Sequence, residues 1–484
     1  MIPCARAALP IVAALALSAA CGPVVWYGHS PDRRHRVRVL DILGEQRVHW
    51  DGRPGGRYRS IGVDALTFSP DSRRLAFPAE CQCGRHWFVV LDGREGRCWH
   101  GIGEILFSPD SRRLAYAAQR GKKWTVVRDG RPDPAVDAVL RKTLRWSPDS
   151  RRLAYAAQLG KTRHVVVDGR VGPGFQRIAQ LRLRGRSVAY LGQRGRFSHV
   201  VLDGVVGPPF DQVKELTLRP GARGGIAYFA RRRGSWFALV DRSVSASYEG
   251  VAGMTFSQDG RHVAYAARVG MRAQVVLDGV PQPLFDGIRF QTLTFSTSGE
   301  LLYIARQGKQ YRVVRGGRPG PLYDAIEPPV ARGVRWGYTA RRDDRHCVVL
   351  NGRVAEGGIR ARWVGDLVLS RDGGRHAYIV HRGERMSVVH GRQVSTYDVV
   401  VLGTLQLSRD GRHWACLAGD AKRKRLFVAV DGQRRIPFDT KELTAALFQR
   451  NRPPRSELLR RWVAAELERA ASPRAKPPRP VARP

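Results

Sequence analysis

Three arginine pairs recur at one spacing, Arg73-Arg74, Arg112-Arg113 and Arg151-Arg152, each directly after Ser-Pro-Asp-Ser. Single arginines, Arg131 and Arg170, each follow an Asp-Gly pair. A guanidinium presents a planar fork of donors that matches carboxylate and phosphate oxygens, so the chemistry implied by these positions is recognition of an anion. Covalent chemistry has no comparable signature. The chain holds no Gly-x-Ser-x-Gly elbow, no His-Glu-x-x-His pair and no Walker loop, and its histidines are scattered singly. No catalytic residue, cofactor or metal ligand is assigned.

Cys81, Cys83 and Cys98 are the cysteines whose spacing invites a bond. Cys81 and Cys83 fall in one loop, and Cys98 lies on a strand returning toward it, so the expectation is a disulfide from Cys98 to Cys81 or Cys83. Cys-x-Cys beside His86 and His100 is a poor zinc spacing. Ser408-Arg409-Asp410-Gly411 with Trp414 resembles the Asp-box turn of sialidases. That turn is structural even there, and a hydrolase would also need a placed acidic pair.

The charge is extreme: 83 Lys and Arg against 42 Asp and Glu leave +41. It points to an anionic partner, although a coding bias toward arginine gives the same composition. With no recognised nucleic-acid module, DNA and RNA are not expected partners. At 484 residues and 43% hydrophobic the chain can bury a sizeable core, while 52 glycines against 4 methionines favour a turn-rich β protein over a helical bundle.

What must position the arginines is a repeat. FSPDSRRLAF from Phe68, FSPDSRRLAY from Phe107 and WSPDSRRLAY from Trp146 are nearly identical, and weaker copies end at Tyr190, Tyr228, Tyr265, Tyr303, Tyr338, Tyr378 and around Trp414. A degenerate first copy begins at Ser30-Pro31-Asp32. Each copy is followed by an apolar run and a turn pair such as Asp92-Gly93, Asp129-Gly130 or Asp168-Gly169, and later units add an aromatic followed by an acid, as in Phe285-Asp286. Proline presets φ in the first turn, and Asp-Gly supplies the two positive φ values of a tight hairpin. Each unit therefore reads as four short antiparallel strands. About eleven such units make an all-β chain of β-propeller blades, arranged as two rings of five and six or as one oversized ring. Tyr116, Tyr155, Tyr190, Tyr265 and Tyr378 are expected in the core between blades.

SPDSRRLAYAA followed by VVxDG resembles the TolB-like, WD-repeat-like propeller repeat of bacterial envelope proteins over residues 24 to 440. The resemblance implies the fold rather than one set activity, because such blades serve scaffolds, periplasmic binding modules and appendages of peptidases alike. The rival to a binding or scaffold role is a hydrolase acting on an anionic envelope polymer in a propeller cleft.

The predicted organisation is a signal peptide over 1–20, a first ring over 21–250, a second over 251–440, a helical segment over 441–471 and a disordered Pro- and Arg-rich tail over 472–484. Arg6 followed by an apolar run to Leu17 fits a signal h-region too short to span a bilayer. Cys21, after Ser18-Ala19-Ala20, resembles the acylated cysteine of a bacterial lipoprotein. The expectation is thus an exported protein, held to the outer membrane through Cys21 and facing the periplasm, or else secreted in soluble form. Its expected partners are an envelope protein or an anionic lipid or glycan, met through Arg73, Arg74, Arg112, Arg113, Arg151, Arg152, Arg131 and Arg170.

Overall fold

Apolar runs of five to seven residues, each closed by a reversing turn, satisfy their backbone hydrogen bonds most directly by pairing with the next run in the chain. The computed structural model describes residues 23–32, 34–82, 86–221, 224–420, 425–438, 463, 464 and 467. Its strands form eleven separate antiparallel sheets, each in simple chain order, spanning 24–58, 60–95, 101–132, 138–175, 177–206, 212–244, 250–281, 287–319, 325–360, 363–397 and 399–438. In the second, fourth, ninth and eleventh sheets the first strand is broken into two short segments. Two stretches of degenerate repeat sequence, 221–245 and 328–363, still form the same sheets as the rest.

The third sheet shows the local logic. Its strands are Gly101–Phe107, Leu114–Arg120, Lys123–Arg128 and Arg131–Pro132. The second strand is buried without alternation from Leu114 to Ala118, so both of its faces need cover. Leu114, Tyr116 and Ala118 pack with Ala76 and Val89 of the second sheet. Ala115 and Val126 pack on the opposite side, with Leu153, Tyr155 and Val166 of the fourth. Similar shared cores join the first sheet to the second, the fourth to the fifth, and each successive pair from sixth to eleventh. The expected core tyrosines all lie here, at 6% exposure or less. First strands of neighbouring sheets lie against one another, while fourth strands such as Arg94–Glu95 and Arg131–Pro132 are short and exposed. This is the blade packing of a β-propeller, where each small sheet hides its flanks only against the next.

Backbone contacts divide the chain into Met1–Leu218 and Arg219–Pro484. The division falls inside the sixth sheet, just ahead of the degenerate stretch at 221. The reason is local: the sixth sheet's first strand, Gln212–Leu218, leans on the fifth sheet, where the Gln180 side-chain carbonyl accepts the Leu216 amide at 3.0 Å.

The last sheet ends differently. One of its faces packs on the tenth sheet through Trp414, Cys416 and Ala418. The other, with Leu417, Leu426, Val428 and Val430, is covered by Val463 and Leu467, which are helical and buried. Those two residues fall within the predicted helical segment over 441–471, most of which lies outside the described residues. The expected signal peptide over 1–20, Cys21 and the tail over 472–484 lie outside the described residues.

Candidate functional site

The Ser-Pro-Asp-Ser turn is held from within. Ser69 donates its hydroxyl to Asp71 Oδ1 at 2.6 Å, that oxygen accepts the Arg73 amide at 3.1 Å, and Ser69 Oγ accepts the Arg74 amide at 2.9 Å. The second serine reaches across to the preceding sheet. Ser72, Ser111 and Ser150 sit at φ between 61 and 66° and accept the backbone amides of Asp32, Asp71 and Asp110 at 2.9–3.0 Å. The repeated turn is therefore an inter-sheet fastener.

The Asp-Gly hairpin stands beside it. Asp92 and Gly93, at φ 52 and 82°, form the two-residue turn. Asp92 Oδ1 accepts the Leu75 amide at 3.0 Å, and Oδ2 accepts Arg74 Nε at 2.8 Å. Asp168 does the same for Leu153 and Arg152, both at 2.9 Å, and also accepts Arg128 Nη1 at 3.1 Å. Arg74 then continues to the carbonyl of Arg112 in the next sheet at 3.0 Å, and Arg152 to that of Arg186. His35, His262 and His413 take the same place opposite Asp51, Asp278 and Asp431 at 2.6–2.7 Å. The two turn types thus lie on one side of each sheet, as the antiparallel alternation requires.

This geometry separates the arginines expected to bind a partner. Arg74 and Arg152 are half-buried parts of the turn network, with their donors directed at Asp92, Asp168 and neighbouring carbonyls. Arg73, Arg112, Arg113, Arg151, Arg131 and Arg170 are exposed, and none of them forms an ion pair among the described residues. Arg74, Arg94 and Arg112 meet at a cavity of about 650 Å³ between the second and third sheets, together with Asp92, Glu95, Asp129 and Tyr116.

On the other side, the residue after each fourth-strand aromatic has a task that its sequence pattern did not disclose. The aromatic bridges back to the third strand, as Phe285 does to Ala273 and Tyr323 to Tyr311. The acid then caps a hairpin of the next sheet: Asp286 accepts the Gly308 amide at 2.7 Å and Asp324 that of Asp343 at 2.7 Å, and Asp137, which follows Val136 rather than an aromatic, accepts that of Gly160 at 2.6 Å. Lys123 pairs with Asp137 at 2.5 Å on the same side. A second set of links joins first strands at their bulges. Glu104 accepts the Lys142 amide at 3.1 Å and Asp366 that of Gly403 at 2.8 Å. Burial pushes the Glu104 carboxyl up, and the Lys142 amide partly offsets it.

Cys81 is disulfide-bonded and Cys98 is a free, exposed thiol, so the expected bond from Cys98 is not formed. Trp99 exchanges both backbone hydrogen bonds with Trp87 and buries its ring; strand alternation sends Cys98 to the opposite, solvent side. Cys83 lies outside the described residues. No group of three or more His, Cys, Asp and Glu suited to a metal ion occurs among the described residues.

The turns set an acid limit. The hydroxyls of Ser69, Ser108, Ser147, Ser257, Ser370 and Ser408 hold the carboxyls of Asp71, Asp110, Asp149, Asp259, Asp372 and Asp410 below the 3.8 of a free aspartate. A depressed folded-state pKa contributes stability that is present above the unfolded value and lost as pH falls through the folded one. Stability should therefore hold from neutrality down to about pH 4 and then fall steeply, because six turns titrate together. Urea midpoints followed by tryptophan fluorescence between pH 7 and 2 check this; a midpoint falling evenly from pH 7 would contradict it.

No protein-family model and no curated protein matches the chain. Among solved structures it is similar to the crystal structure of a eukaryotic initiation factor, with 10% identity, TM-score 0.36, and coverage of 77% of this chain and 94% of that one. It is also similar to the Dos1 propeller, with 10% identity, TM-score 0.29 and coverage of 68% and 91%. The β-propeller domain of the Trilobed protease from Pyrococcus furiosus gives 11% identity, TM-score 0.25 and coverage of 52% and 92%. The fold assignment rests on the chain's own sheets.

Proposed function

We propose that the chain is a non-enzymatic binding or scaffold protein of the cell envelope that recognises an anionic partner through the arginine-bearing side of its sheets. One observation carries the reading: Arg73, Arg112, Arg151, Arg131 and Arg170 repeat at equivalent turn positions, exposed and outside any ion pair among the described residues, while Arg74 and Arg152 do the structural work. A row of unpaired guanidinium groups on a rigid support attracts phosphate or carboxylate at long range and is screened by salt. The N-terminal apolar run, Cys21 and the resemblance to envelope propeller repeats support export and anchoring to the outer membrane on its periplasmic side. The partner is then an envelope protein or an anionic lipid or glycan.

The test is retention from envelope extract on the immobilised chain at about 50 mM and about 500 mM salt, ionic strengths chosen to lengthen and shorten the screening distance. An anionic partner held at low salt and released at high salt is expected, with no turnover of it. Retention of nothing anionic would overturn the reading, and consumption of the retained partner would establish the hydrolase alternative.

A further inference from the structure

One position in the fourth strand recurs with differing chemistry. In most sheets its backbone amide donates to a third-strand carbonyl: Gly96 to Val89 at 2.9 Å, Asp133 to Val126 at 2.8 Å and Gly320 to Val313 at 2.9 Å. Glu356 holds this place in the ninth sheet, paired with Val348. A side chain there heads for the core tyrosine of the following sheet. A Cβ added to Gly172 would come within 3.3 Å of the Tyr190 hydroxyl, and one added to Gly96 within 4.0 Å of that of Tyr116.

Two sheets fill this slot with a carboxylate. Glu356 accepts the Tyr378 hydroxyl and lies 3.0 Å from His376 Nε2, both in the tenth sheet. Asp133, with its side chain 6% exposed, lies beside Tyr155 of the fourth sheet and 3.9 Å from Arg128 Nη2. Where the residue is glycine, no carboxylate of this slot reaches the phenol. Tyr190, 2% exposed and facing Gly172, has a buried hydroxyl with no hydrogen bond. Between the second and third sheets, glycine at 96 opens the cavity of about 650 Å³, with Tyr116 on its wall and Arg94 and Arg112 at its rim. Two of the three acids there are committed to turns: Asp92 to Arg74 and the Leu75 amide, and Asp129 to the Leu114 amide. The third, Glu95, precedes Gly96, so alternation directs it to the other face, where it acts on Tyr58 of the first sheet.

We propose that the slot at Gly96 binds an external carboxylate, seated as the chain's own Glu356 is against Tyr378, with the Tyr116 hydroxyl donating to it and Arg94 and Arg112 pairing with it. This rests on the reading that the arginine side meets acidic partners and names the chemistry of one site on it. The carboxylate has two sources, an acidic side chain of a peptide or a small free dicarboxylate.

The test titrates the full chain with the blocked tripeptide Gly-Glu-Gly, its Gly-Gln-Gly counterpart and succinate, following binding by calorimetry. The Glu peptide should bind at least tenfold more tightly than the Gln peptide. Gly96→Glu, which supplies the carboxylate covalently, should weaken the Glu peptide at least tenfold. Tyr116→Phe removes one hydroxyl with little effect on folding and should weaken it about fivefold, in line with one hydrogen bond. Succinate binding as tightly as the peptide assigns the slot to free dicarboxylates; binding of the peptide alone assigns it to an acidic side chain. Equal affinity for the Glu and Gln peptides, or a Gly96→Glu chain that folds and binds as before, overturns the proposal. Arg73→Glu with Arg151→Glu should leave peptide binding unchanged while weakening salt-sensitive retention of envelope partners, so failure of the slot and failure of the wider reading are told apart.

Discussion

Trp414→Ala should destabilise the second unit by about 3–5 kcal/mol, the range for removing a large buried aromatic. Trp414 is fully buried and packs with Ile379, Val388, Leu405 and Cys416, where the tenth and eleventh sheets share a core. Its amide is held by Asp431 Oδ1 at 2.9 Å, so the backbone stays in place while the indole volume is lost, which favours a cavity over collapse. The equivalent residue in the second, third and fourth sheets is a leucine, Leu75, Leu114 or Leu153, aligned by register with the end of the first strand. Trp414→Leu should therefore cost clearly less than Trp414→Ala. Equilibrium urea unfolding measures both; a loss below about 1 kcal/mol for the alanine variant would mean that the shared core is not what holds these sheets together.

Asp168→Ala has the second-largest expected effect, about 2–4 kcal/mol in the first unit. Its carboxylate holds the Leu153 amide, Arg152 and Arg128 together. All three side chains keep 26–31% exposure, so solvent screens the ion pairs, and the orphaned amide and guanidinium groups dominate the loss. Asp168 also sits at φ 51°, a conformation that asparagine tolerates and alanine does not. Asp168→Asn keeps the turn and one acceptor and should recover at least half of the loss. Asp129→Ala is an internal comparison at the same backbone conformation, φ 48°: Asp129 holds the Leu114 amide without an arginine partner among the described residues, and its removal should cost clearly less than that of Asp168. Equal losses at 129 and 168 would show that the arginines add nothing to the turn.

The fold was legible because each repeat carries its own punctuation. Ser-Pro-Asp-Ser and Asp-Gly mark two of the three hairpins of a sheet, and unbroken burial of runs such as Leu114 to Ala118 follows from sheets stacked on both sides. What failed were distinctions that depend on the next repeat. Arg73 and Arg74 are adjacent and alike in sequence, yet Arg74 faces Asp92 and the following turn while Arg73 faces solvent; only the neighbouring sheet decides this. The aromatic-acid pattern was visible, but the amide capped by Asp286 or Asp324 lies a full hairpin further on. Glu104, Gln180 and Asp366 carry no motif at all, since a bulge is marked by register rather than by residue type. Cys98 was assigned by loop proximity, and the one-residue alternation that buries Trp99 turned it away.

The most direct test compares two arginine sets in the full chain, by elution salt from an anionic matrix and by thermal unfolding. Arg73→Glu, Arg112→Glu and Arg151→Glu together should lower the elution salt sharply at unchanged unfolding temperature, whereas Arg74→Gln with Arg152→Gln should lower the unfolding temperature and leave elution nearly unchanged. Retention that ignores the first set, or stability that ignores the second, would contradict the division of labour between exposed and turn-bound arginines.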